Sequence, residues 1–266
     1  MRVATFNLHA GVDGWGRPTR VLDVVKDLDA DVLILPELWR AVDGPDFYDD
    51  LATSLRMTGE FAPLATGERV TSGEGPASWQ PMLAHFVGER GLFFREHREL
   101  TKDQLAKRAL SRRVEAGTWG LGFLTRLPVE NITITPLGRL PREKVTRALI
   151  VARLSDGTRP FYALAIHGAH ISHGSYRQYR RINQIVAGLE PDVPVLIAGD
   201  FNCWRPLLRV LFPGWRTLAR GRTWPAKRPH SQIDHILGRG PWKSLQSYTR
   251  DGGSDHLALI ADVELR

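Results

Sequence analysis

Cysteine is almost absent from the 266-residue sequence, which contains only Cys203. A single cysteine excludes an intrachain disulfide and a cysteine-based zinc cluster. No stretch reaches about 18 consecutive apolar residues, so we predict no membrane span. The first six residues lack a charged leader followed by a long apolar run, which indicates a strand rather than a signal peptide and favours a cytoplasmic protein. The content of 42% hydrophobic and 24% charged residues is typical of a globular protein and excludes collagen-like, low-complexity and disordered classes.

Acidic residues are outnumbered by basic ones. The 36 lysines and arginines exceed the 29 aspartates and glutamates, which gives a formal net charge of +7. A basic balance favours anionic partners, such as nucleic acid, phosphorylated metabolites or an anionic membrane surface. Arginine-rich proteins carry the same excess for compositional reasons, so the charge supports an anionic substrate without identifying it.

Long linkers and internal repeats are absent from the sequence, so we predict one domain over residues 1–266. Strands outnumber helices and do not alternate with them, which favours two packed sheets with helices outside over a doubly wound sheet. Helical periodicity predicts helices over residues 20–28 and 176–189. Short apolar or β-branched runs predict strands over residues 3–8, 32–36, 122–125, 132–137, 148–154, 162–166, 193–198, 233–237 and 258–263.

The segment at about 64–118 differs from the rest of the chain in amino-acid composition and is predicted to be a variable insert. Residues 66–80 are rich in Gly, Ser, Thr and Pro, which predicts a mobile loop. Residues 101–115 predict a basic helix with Thr101 as its N-cap. This helix is either a solvated basic face or a cationic lid that contacts the substrate, and both interpretations stay open.

Polar side chains stand where several predicted strands end. A buried carboxylate at such a position is costly to desolvate unless it is paired or bound to a cation. Each one alone is explained as a capping or loop residue, but strand ends at one edge of a sheet converge on one crevice. The residues concerned are Asn7, Glu37, His170, Asp200, Asn202, Asp255 and His256. Together they predict a single polar site.

Oxygen ligands dominate this predicted site. Side chains such as those of Asn7, Glu37 and Asp255 suit Mg²⁺ or Mn²⁺, which keep several waters and bind phosphate oxygens. A metal of this kind neutralises a phosphoryl group while a nearby Asp or His deprotonates an attacking water. The expected cofactor is therefore Mg²⁺ or Mn²⁺.

Four side chains are candidates for activating a water or for supporting the group that does so. Asp200 and Asn202 lie two residues apart, on the same side of an extended stretch, so that one can activate a water that the other holds. His256 is a candidate for contact with the phosphate or for a general base. Its tautomer needs an acceptor, for which Asp234 is the candidate.

Six short motifs occur in a fixed order along the chain: Thr5-Phe6-Asn7, Pro36-Glu37, the glycine-rich run 119–128, Gly199-Asp200-Phe201-Asn202, Ile233-Asp234-His235 and Ser254-Asp255-His256. This order resembles the endonuclease/exonuclease/phosphatase superfamily, which includes deoxyribonuclease-I-like nucleases, exonuclease III-type enzymes, inositol polyphosphate phosphatases and sphingomyelinases. The resemblance covers nearly the whole chain, and the Gly-Asp-x-Asn and Ser-Asp-His motifs are its most specific part.

The resemblance implies an α/β fold, a four-layer sandwich of two packed mixed β-sheets flanked by helices. It also implies a divalent-metal phosphoesterase site at one edge of the sheets, with Glu37 as the principal ligand and Asn7 and Asp255 close by. In the implied mechanism, Asp200 orients or activates the water, and Asn202 holds this water or a phosphate oxygen. His256 lies against the phosphate, with Asp234 behind it. His170 contacts the phosphate or assists the leaving group.

Several residues leave alternatives open. His170 is preferred over His167 because an apolar residue follows it, as in the family motif. Arg147 is either a phosphate contact or part of a structural salt bridge. Trp204 either stacks on a base or packs against a strand end. Cys203 is interpreted as a packing thiol, because no Cys/His pair with an orienting group is recognisable near it.

The function expected from these features is that of a metal-dependent phosphodiesterase, a nuclease acting on DNA or RNA. The alternative is a phosphatase or phosphodiesterase acting on a phospholipid headgroup or a phosphorylated small molecule. A catalytically inactive binding module is the third interpretation, and the presence of every catalytic residue type disfavours it. We expect a monomer.

Overall fold

The computed structural model describes residues 1–12, 19–43, 46–72, 85–87, 112–141, 143 and 145–266. The strands in these ranges are Arg2–Thr5 (β1), Val32–Ala41 (β2), Thr58–Ser72 (β3), His85–Val87 (β4), Arg112–Thr125 (β5), Val129–Gly138 (β6), Arg147–Ser155 (β7), Pro160–His167 (β8), Val195–Asp200 (β9), Arg216–Thr217 (β10), Asp234–Arg239 (β11), Trp242–Asp251 (β12) and Leu257–Leu265 (β13). The α-helices are Val21–Asp27 (α1), Phe47–Leu55 (α2), Tyr176–Ala187 (α3) and Arg205–Leu211 (α4), and 3₁₀ turns lie at His9–Gly11 and Ile171–His173.

The strands form two mixed sheets. One sheet has seven strands in the order β12-β13-β1-β2-β5-β3-β4, and the other has six in the order β10-β11-β9-β8-β7-β6. The pairs β1–β2 and β8–β9 are parallel, so each pair ends at one edge of its sheet. The antiparallel neighbours β13 and β11 begin at those same edges. Loops from four strand ends and two strand starts therefore meet there.

The two sheets pack face to face through an apolar core. Val3, Ile34 and Phe123 of the seven-stranded sheet are fully buried in the same cluster as Ile150 and Leu196 of the six-stranded sheet. Burial of apolar surface in this layer is the main force that holds the two sheets together.

Helices cover the outer face of each sheet. Helices α1 and α2 bury Val25 and Leu51 against the seven-stranded sheet. Helix α3 buries Tyr179 and Ile182, and α4 buries Leu208, against the six-stranded sheet. The order of layers is thus helix, sheet, sheet, helix, which confirms the predicted four-layer α/β sandwich. None of the helices in the described ranges combines the length and apolar content needed to cross a bilayer.

The ends of the predicted insert differ from expectation. Residues 66–72 belong to β3 rather than to a loop, and residues 112–115 belong to β5 rather than to a helix. The two strands pair as far as Ser72 with Arg112. Their backbone N–H and C=O groups are therefore satisfied by hydrogen bonds between the strands, and neither a loop nor a helix forms there. The remaining parts of the predicted loop and helix, 73–80 and 101–111, lie outside the described residues.

Candidate active site

The first part of the site lies where the parallel strands β1 and β2 end. Backbone hydrogen bonds continue their pairing, from Phe6 N–H to Ile34 O at 3.0 Å and from Leu8 N–H to Pro36 O at 2.9 Å. Asn7 lies between these two bonds and is buried. Its side chain therefore has a fixed position at the edge of the seven-stranded sheet.

Glu37 occupies a β-bulge in β2. The register of β2 with β5 shifts between Pro36 and Leu38, so Glu37 is the extra residue. Its φ is +56°, in the left-handed region that few non-glycine residues adopt. A bulge re-aims one side chain out of the strand's alternation and is common beside functional sites. Here the carboxylate faces Asn7, whose Nδ2 donates to Glu37 Oε1 at 3.1 Å.

Three strands of the six-stranded sheet supply the opposite side of the site. The register of β8, β9 and β11 places His167, Asp200 and Asp234 next to one another, and all three are buried. Gly199 precedes Asp200 with a φ of +145°, and a Cβ there would lie 1.9 Å from Ile166 O. Glycine is required at this position for β8 and β9 to approach closely.

Asn202 turns the chain at the end of β9. Its φ is +48°, a conformation that asparagine adopts more readily than most residues. Its N–H donates to Asp200 Oδ1 at 2.7 Å, and its Nδ2 donates to Gly168 O at 3.1 Å and to Asp200 Oδ2 at 3.2 Å. The expected extended stretch is therefore a tight turn, in which Asn202 holds the Asp200 carboxylate.

The turn before β13 joins the two sheets at this edge. Ser254 Oγ donates to Asn7 O at 2.8 Å, which fixes the turn to the end of β1. His256 is buried, and its Nδ1 lies 2.8 Å from Asp234 Oδ2. A histidine of the seven-stranded sheet thus contacts a carboxylate of the six-stranded sheet.

Asp200 Oδ2 is the centre of the assembled site. Asn7 Nδ2 donates to it at 3.1 Å and bridges it to Glu37. His167 Nε2 lies 3.7 Å and His256 Nε2 4.0 Å from the same oxygen. The structure therefore brings six predicted residues together, to which it adds His167: Asn7, Glu37, Asp200, Asn202, Asp234 and His256.

The charges of the site shift the pKa of its members in opposite directions. Burial, together with the Asp234 carboxylate, raises the pKa of Asp200 to about 7. Burial opposes the charged form of His256, but the surrounding carboxylates of Asp234, Asp255 and Asp200 hold the pKa of this histidine well above its usual value. His256 is therefore the cation among the carboxylates.

His167 is expected to be neutral. Burial lowers its pKa well below the usual value, and the charges of Arg147 and His256 lower it further. Its Nε2 faces Glu37 Oε1 at 3.6 Å. Its ring lies 5.1 Å from that of Trp119. A neutral imidazole that faces carboxylates is suited to holding a water or a metal ion between them.

His170 lies outside this cluster, contrary to the preference for it over His167. Its side chain is exposed, and its Nδ1 accepts from Ser172 N–H at 3.2 Å, which makes it the cap of the short 3₁₀ turn 171–173. Burial lowers the pKa of His170, with a further contribution from the charge of His173. His170 stands three residues beyond the end of β8, where it caps the 3₁₀ turn and lies outside both sets of converging ligand atoms.

Asp255 lies at the same edge but outside the two sets of converging ligand atoms. Its Oδ1 is 3.7 Å from His9 Nδ1. Burial raises the pKa of Asp255, but the charges of His9 and His256 outweigh burial, so its pKa is lowered. Asn7 also differs from a simple oxygen ligand, because its Oδ1 accepts from His9 N–H at 3.0 Å and its Nδ2 faces the carboxylates.

The donor set fits a divalent metal ion. Ligand atoms of Glu37, His167 and Asp200 lie within 4.8 Å of one another, and so do those of Asp200, Asp234 and His256. Glu37 Oε2 and Asp234 Oδ1 are buried and have no hydrogen-bond partner among the described residues. Buried carboxylate oxygens without donors are costly, and a cation would satisfy them. Oxygen-rich donor sets favour Mg²⁺ or Mn²⁺.

Arg147 forms the structural salt bridge considered for it and also has a side-chain nitrogen without a partner among the described residues. Its Nε donates to Glu143 Oε2 at 3.1 Å in a buried salt bridge. Its guanidinium lies 5.2 Å from the centre of the Trp119 ring, which contacts His167. Its Nη1 is buried and has no hydrogen-bond partner in the described part of the chain, so one donor remains for an anion.

Trp204 is exposed at the start of α4, two residues after Asn202. Cys203 is buried among apolar side chains, and burial raises the pKa of its thiol to about 11, as expected for a packing residue.

Comparison of the sequence with models of known protein families gives a match over nearly the whole chain. Residues 4–256 match the model of the Endonuclease/Exonuclease/phosphatase family. The chain belongs to this family. Members of the endonuclease/exonuclease/phosphatase family are hydrolases that act on phosphoesters. No curated protein sequence matches the chain.

Solved structures share the family fold at low sequence identity. An endonuclease/exonuclease/phosphatase from Beutenbergia cavernae is 19% identical with a TM-score of 0.65, over 100% of this chain and 71% of that one. A functionally unknown conserved protein from Enterococcus faecalis is 18% identical with a TM-score of 0.67, over 100% of both chains. D. rerio TDP2, in complex with a single-strand DNA product, is 14% identical with a TM-score of 0.62, over 99% of this chain and 98% of that one.

Two members of the site were not chosen from the sequence: His167, which was considered but ranked below His170, and Glu143. His167 directly follows the apolar run of β8, so the strand-end pattern that selected Glu37 would also have selected it. Glu143 carries no local signal. It lies in a loop four residues before Arg147, and only the fold brings it to His173, whose Nδ1 is 2.8 Å from Glu143 Oε1.

Proposed function

We propose that this protein is a Mg²⁺- or Mn²⁺-dependent phosphodiesterase that cleaves DNA or RNA by metal-assisted attack of water. The observation that carries the proposal is the convergence of strand ends from both sheets on one buried carboxylate, Asp200. Family membership supports phosphoester hydrolysis, and the residue types that this reaction needs all lie at that edge.

Glu37, His167 and Asp200, whose ligand atoms lie within 4.8 Å of one another, are the residues that we expect to hold the metal ion. Asn7 supports the two carboxylates by donating to them from Nδ2. Asp255 adds a negative charge at the same edge. When bound, a divalent ion neutralises the phosphate charge and lowers the pKa of a bound water. The Glu37 oxygen that lacks a donor among the described residues supports this assignment.

The remaining side chains have complementary roles. Asp200 accepts the proton of the attacking water while Asn202 keeps its carboxylate in place. Protonated His256, held by Asp234, points Nε2 towards the same region and donates to a phosphate oxygen. The water oxygen bonds to phosphorus, and the leaving oxygen departs with the electron pair of the broken P–O bond. The buried Nη1 of Arg147 is a second donor for the phosphate.

A nucleic-acid substrate is favoured over other phosphate esters. The net charge of +7 attracts a polyanion. Trp204 is 58% exposed beside Arg205 at the rim of the site, as in proteins that stack bases. D. rerio TDP2, which has the same fold, is known in complex with single-strand DNA, so the fold accommodates such a strand. A lipid-headgroup substrate would be favoured by exposed apolar residues, for which Trp79 and residues 92–94 are the candidates in the sequence, and these lie outside the described residues.

Hydrolysis of bis(p-nitrophenyl) phosphate with Mg²⁺ or Mn²⁺ tests the proposal. The same assay is then run on a panel of single- and double-stranded DNA, RNA, inositol phosphates and sphingomyelin. We expect Asp200→Ala to lose at least about 100-fold in kcat, because general-base catalysis contributes that much or more. Asp192→Ala, which removes an exposed carboxylate before β9, is the matched control and should retain activity.

Excess EDTA should abolish hydrolysis. Activity that survives EDTA, or an Asp200→Ala variant as active as the wild type, would contradict the proposal. An inactive binding module would bind nucleic acid without hydrolysing any member of the panel.

A further inference from the structure

A basic groove lies next to the candidate active site. It is lined chiefly by Trp204, Arg205, Arg220, Arg222, His230 and Gln232 and has a volume of about 440 Å³. This volume is within the range of about 300–1,000 Å³ that is usual for ligand sites.

Three arginines give the groove its charge. Arg205 is half-buried, and Arg220 and Arg222 are exposed in a second segment that lines the groove. In the described part of the chain, none of the three pairs with a carboxylate. Three cations without acidic neighbours repel one another, and a polyanionic ligand would relieve that repulsion.

The wall that carries Arg220 and Arg222 is fixed by side-chain hydrogen bonds. Gln232 accepts from Gly221 N–H at 3.4 Å and donates to Ala219 O at 3.1 Å, so it clamps the segment on both sides of Arg220. Arg220 N–H also donates to Ser247 Oγ at 3.1 Å. A wall that is already ordered loses little conformational entropy when a ligand binds.

Trp204 forms the other side of the groove. Its side chain is 58% exposed, and no aromatic ring or arginine stacks on it among the described residues. An exposed indole face next to a positively charged groove is the combination on which proteins stack the bases of single-stranded nucleic acids.

The groove begins where the candidate active site ends. Trp204 follows Asn202 by two residues, and Gln232 precedes Asp234 by two residues. Two residues span at most about 7 Å of chain. A phosphate beside Asp200 therefore has its neighbouring nucleotide within reach of the groove.

We propose that the basic groove is a subsite for single-stranded nucleic acid, in which the base next to the scissile phosphate stacks on Trp204 and the adjoining phosphates bind Arg220 and Arg222. The inference rests on the proposed function and specifies its substrate. In a duplex both faces of each base are covered by neighbouring bases, so only an unpaired base can stack on Trp204.

Binding of a fluorescein-labelled oligothymidylate, measured by anisotropy in EDTA, tests the subsite without requiring hydrolysis. We expect the wild type to bind the single strand more tightly than a duplex of equal length. Trp204→Ala should weaken single-strand binding by about 5-fold to 150-fold, the range for one base–aromatic stack. Trp204→Phe, which keeps a ring, should recover most of the affinity.

The affinity for single strands falls as salt rises, and each phosphate contact contributes about 0.7 to the slope of log affinity against log salt concentration. The double variant Arg220→Gln/Arg222→Gln should therefore reduce the magnitude of this slope by about 1.4. Arg209→Gln is the control, because Arg209 is an exposed arginine of α4 outside the groove. It should leave affinity at the wild-type value.

The proposal is overturned if the Trp204 and arginine variants bind the single strand as the wild type does. It is equally overturned if the wild type prefers the duplex, or if inositol hexakisphosphate binds in the groove while the oligonucleotide does not. Hydrolysis of bis(p-nitrophenyl) phosphate with Mg²⁺ is measured separately. Its absence would count against the proposed function and leave the binding result intact.

Discussion

Asp200 is a fully buried carboxylate that receives hydrogen bonds from both sheets. Asn7 reaches it from β1, and Asn202 reaches it from its own turn. These neutral donors satisfy its oxygens without adding charge, while Asp234 and Glu37 keep the negative potential high. A carboxylate in this environment is suited both to binding a cation and to accepting a proton near neutral pH.

The pair of His256 and Asp234 leads to a pH prediction. Burial opposes the charge of His256, but the neighbouring carboxylates raise its pKa well above the usual value. A histidine whose pKa is raised by folding stabilises the native state fully below pH of about 6.5, and the contribution is lost as the pH rises through the folded-state pKa. Asp234→Asn should therefore shift the His256 titration to lower pH and destabilise the protein mainly on the acidic side.

Histidine-ring NMR in EDTA measures this titration directly. We expect the His256 ring of the wild type to remain protonated at pH 7 and that of Asp234→Asn to be largely neutral there. A wild-type His256 that titrates at or below pH 6.5 would show that the carboxylates do not stabilise its charge.

Single residues of the site could be selected from the sequence because each follows an apolar run. Asn7, Glu37 and Asp200 were found in this way, and the structure brings them together. The same pattern points to His167, and the preference for His170 came from the apolar residue after it. Glu143 was not predictable, because no motif marks it and its contact with His173, thirty residues along the chain, depends on the fold.

At the scale of elements, irregularities of the strands position the carboxylates. The bulge in β2 turns Glu37, and Gly199 lets β9 approach β8 directly before Asp200. Both positions have backbone conformations that a regular strand does not have, with φ of +56° and +145°. Such strain persists where the surrounding structure fixes it.

Gly199→Ala should destabilise the protein by at least about 3 kcal/mol, since the new Cβ would force β8 and β9 apart in addition to straining the backbone. Urea unfolding measures the loss. Gly157→Ala is the control: its φ is +95°, but a Cβ there meets nothing within 4 Å. It should lower the free energy of unfolding by only about 1–2 kcal/mol, which is the cost of the strained backbone alone. Equal losses in the two variants would show that the close strand contact at Gly199 is unimportant.

The strands that are covered on both faces were predictable, whereas strand β12 and helix α2 were not. Strands such as β7, β8 and β9 are continuous apolar runs, because both of their faces are covered. Strand β12 has mostly exposed side chains at the end of its sheet, and its sequence lacks a clear alternation. Helix α2 is short and is stabilised by the Asp46 N-cap, whose Oδ1 accepts from Tyr48 N–H, and by packing of Leu51. Its sequence alone does not distinguish it from a loop.

At the scale of the molecule, the site depends on the packing of two sheets. Glu37 lies in one sheet, with Asn7 and His256 directly beside the ends of its strands, while Asp200 and Asp234 belong to the other sheet. The apolar layer between the sheets holds their edges in register, so the Asn7 and His256 contacts span that interface. The four-layer arrangement followed from the resemblance of the motifs, whereas the count and order of the strands required the structure.

Calorimetric titration with Mn²⁺ tests most directly whether carboxylates from both sheets hold one metal ion. We predict that the wild type binds Mn²⁺ and that Glu37→Gln and Asp200→Asn each weaken binding at least about tenfold, because changes in groups that only support metal ligands already cost that much. Glu60→Gln, an exposed change in β3, should bind as the wild type does. Wild-type affinity in Glu37→Gln or in Asp200→Asn would contradict the shared site.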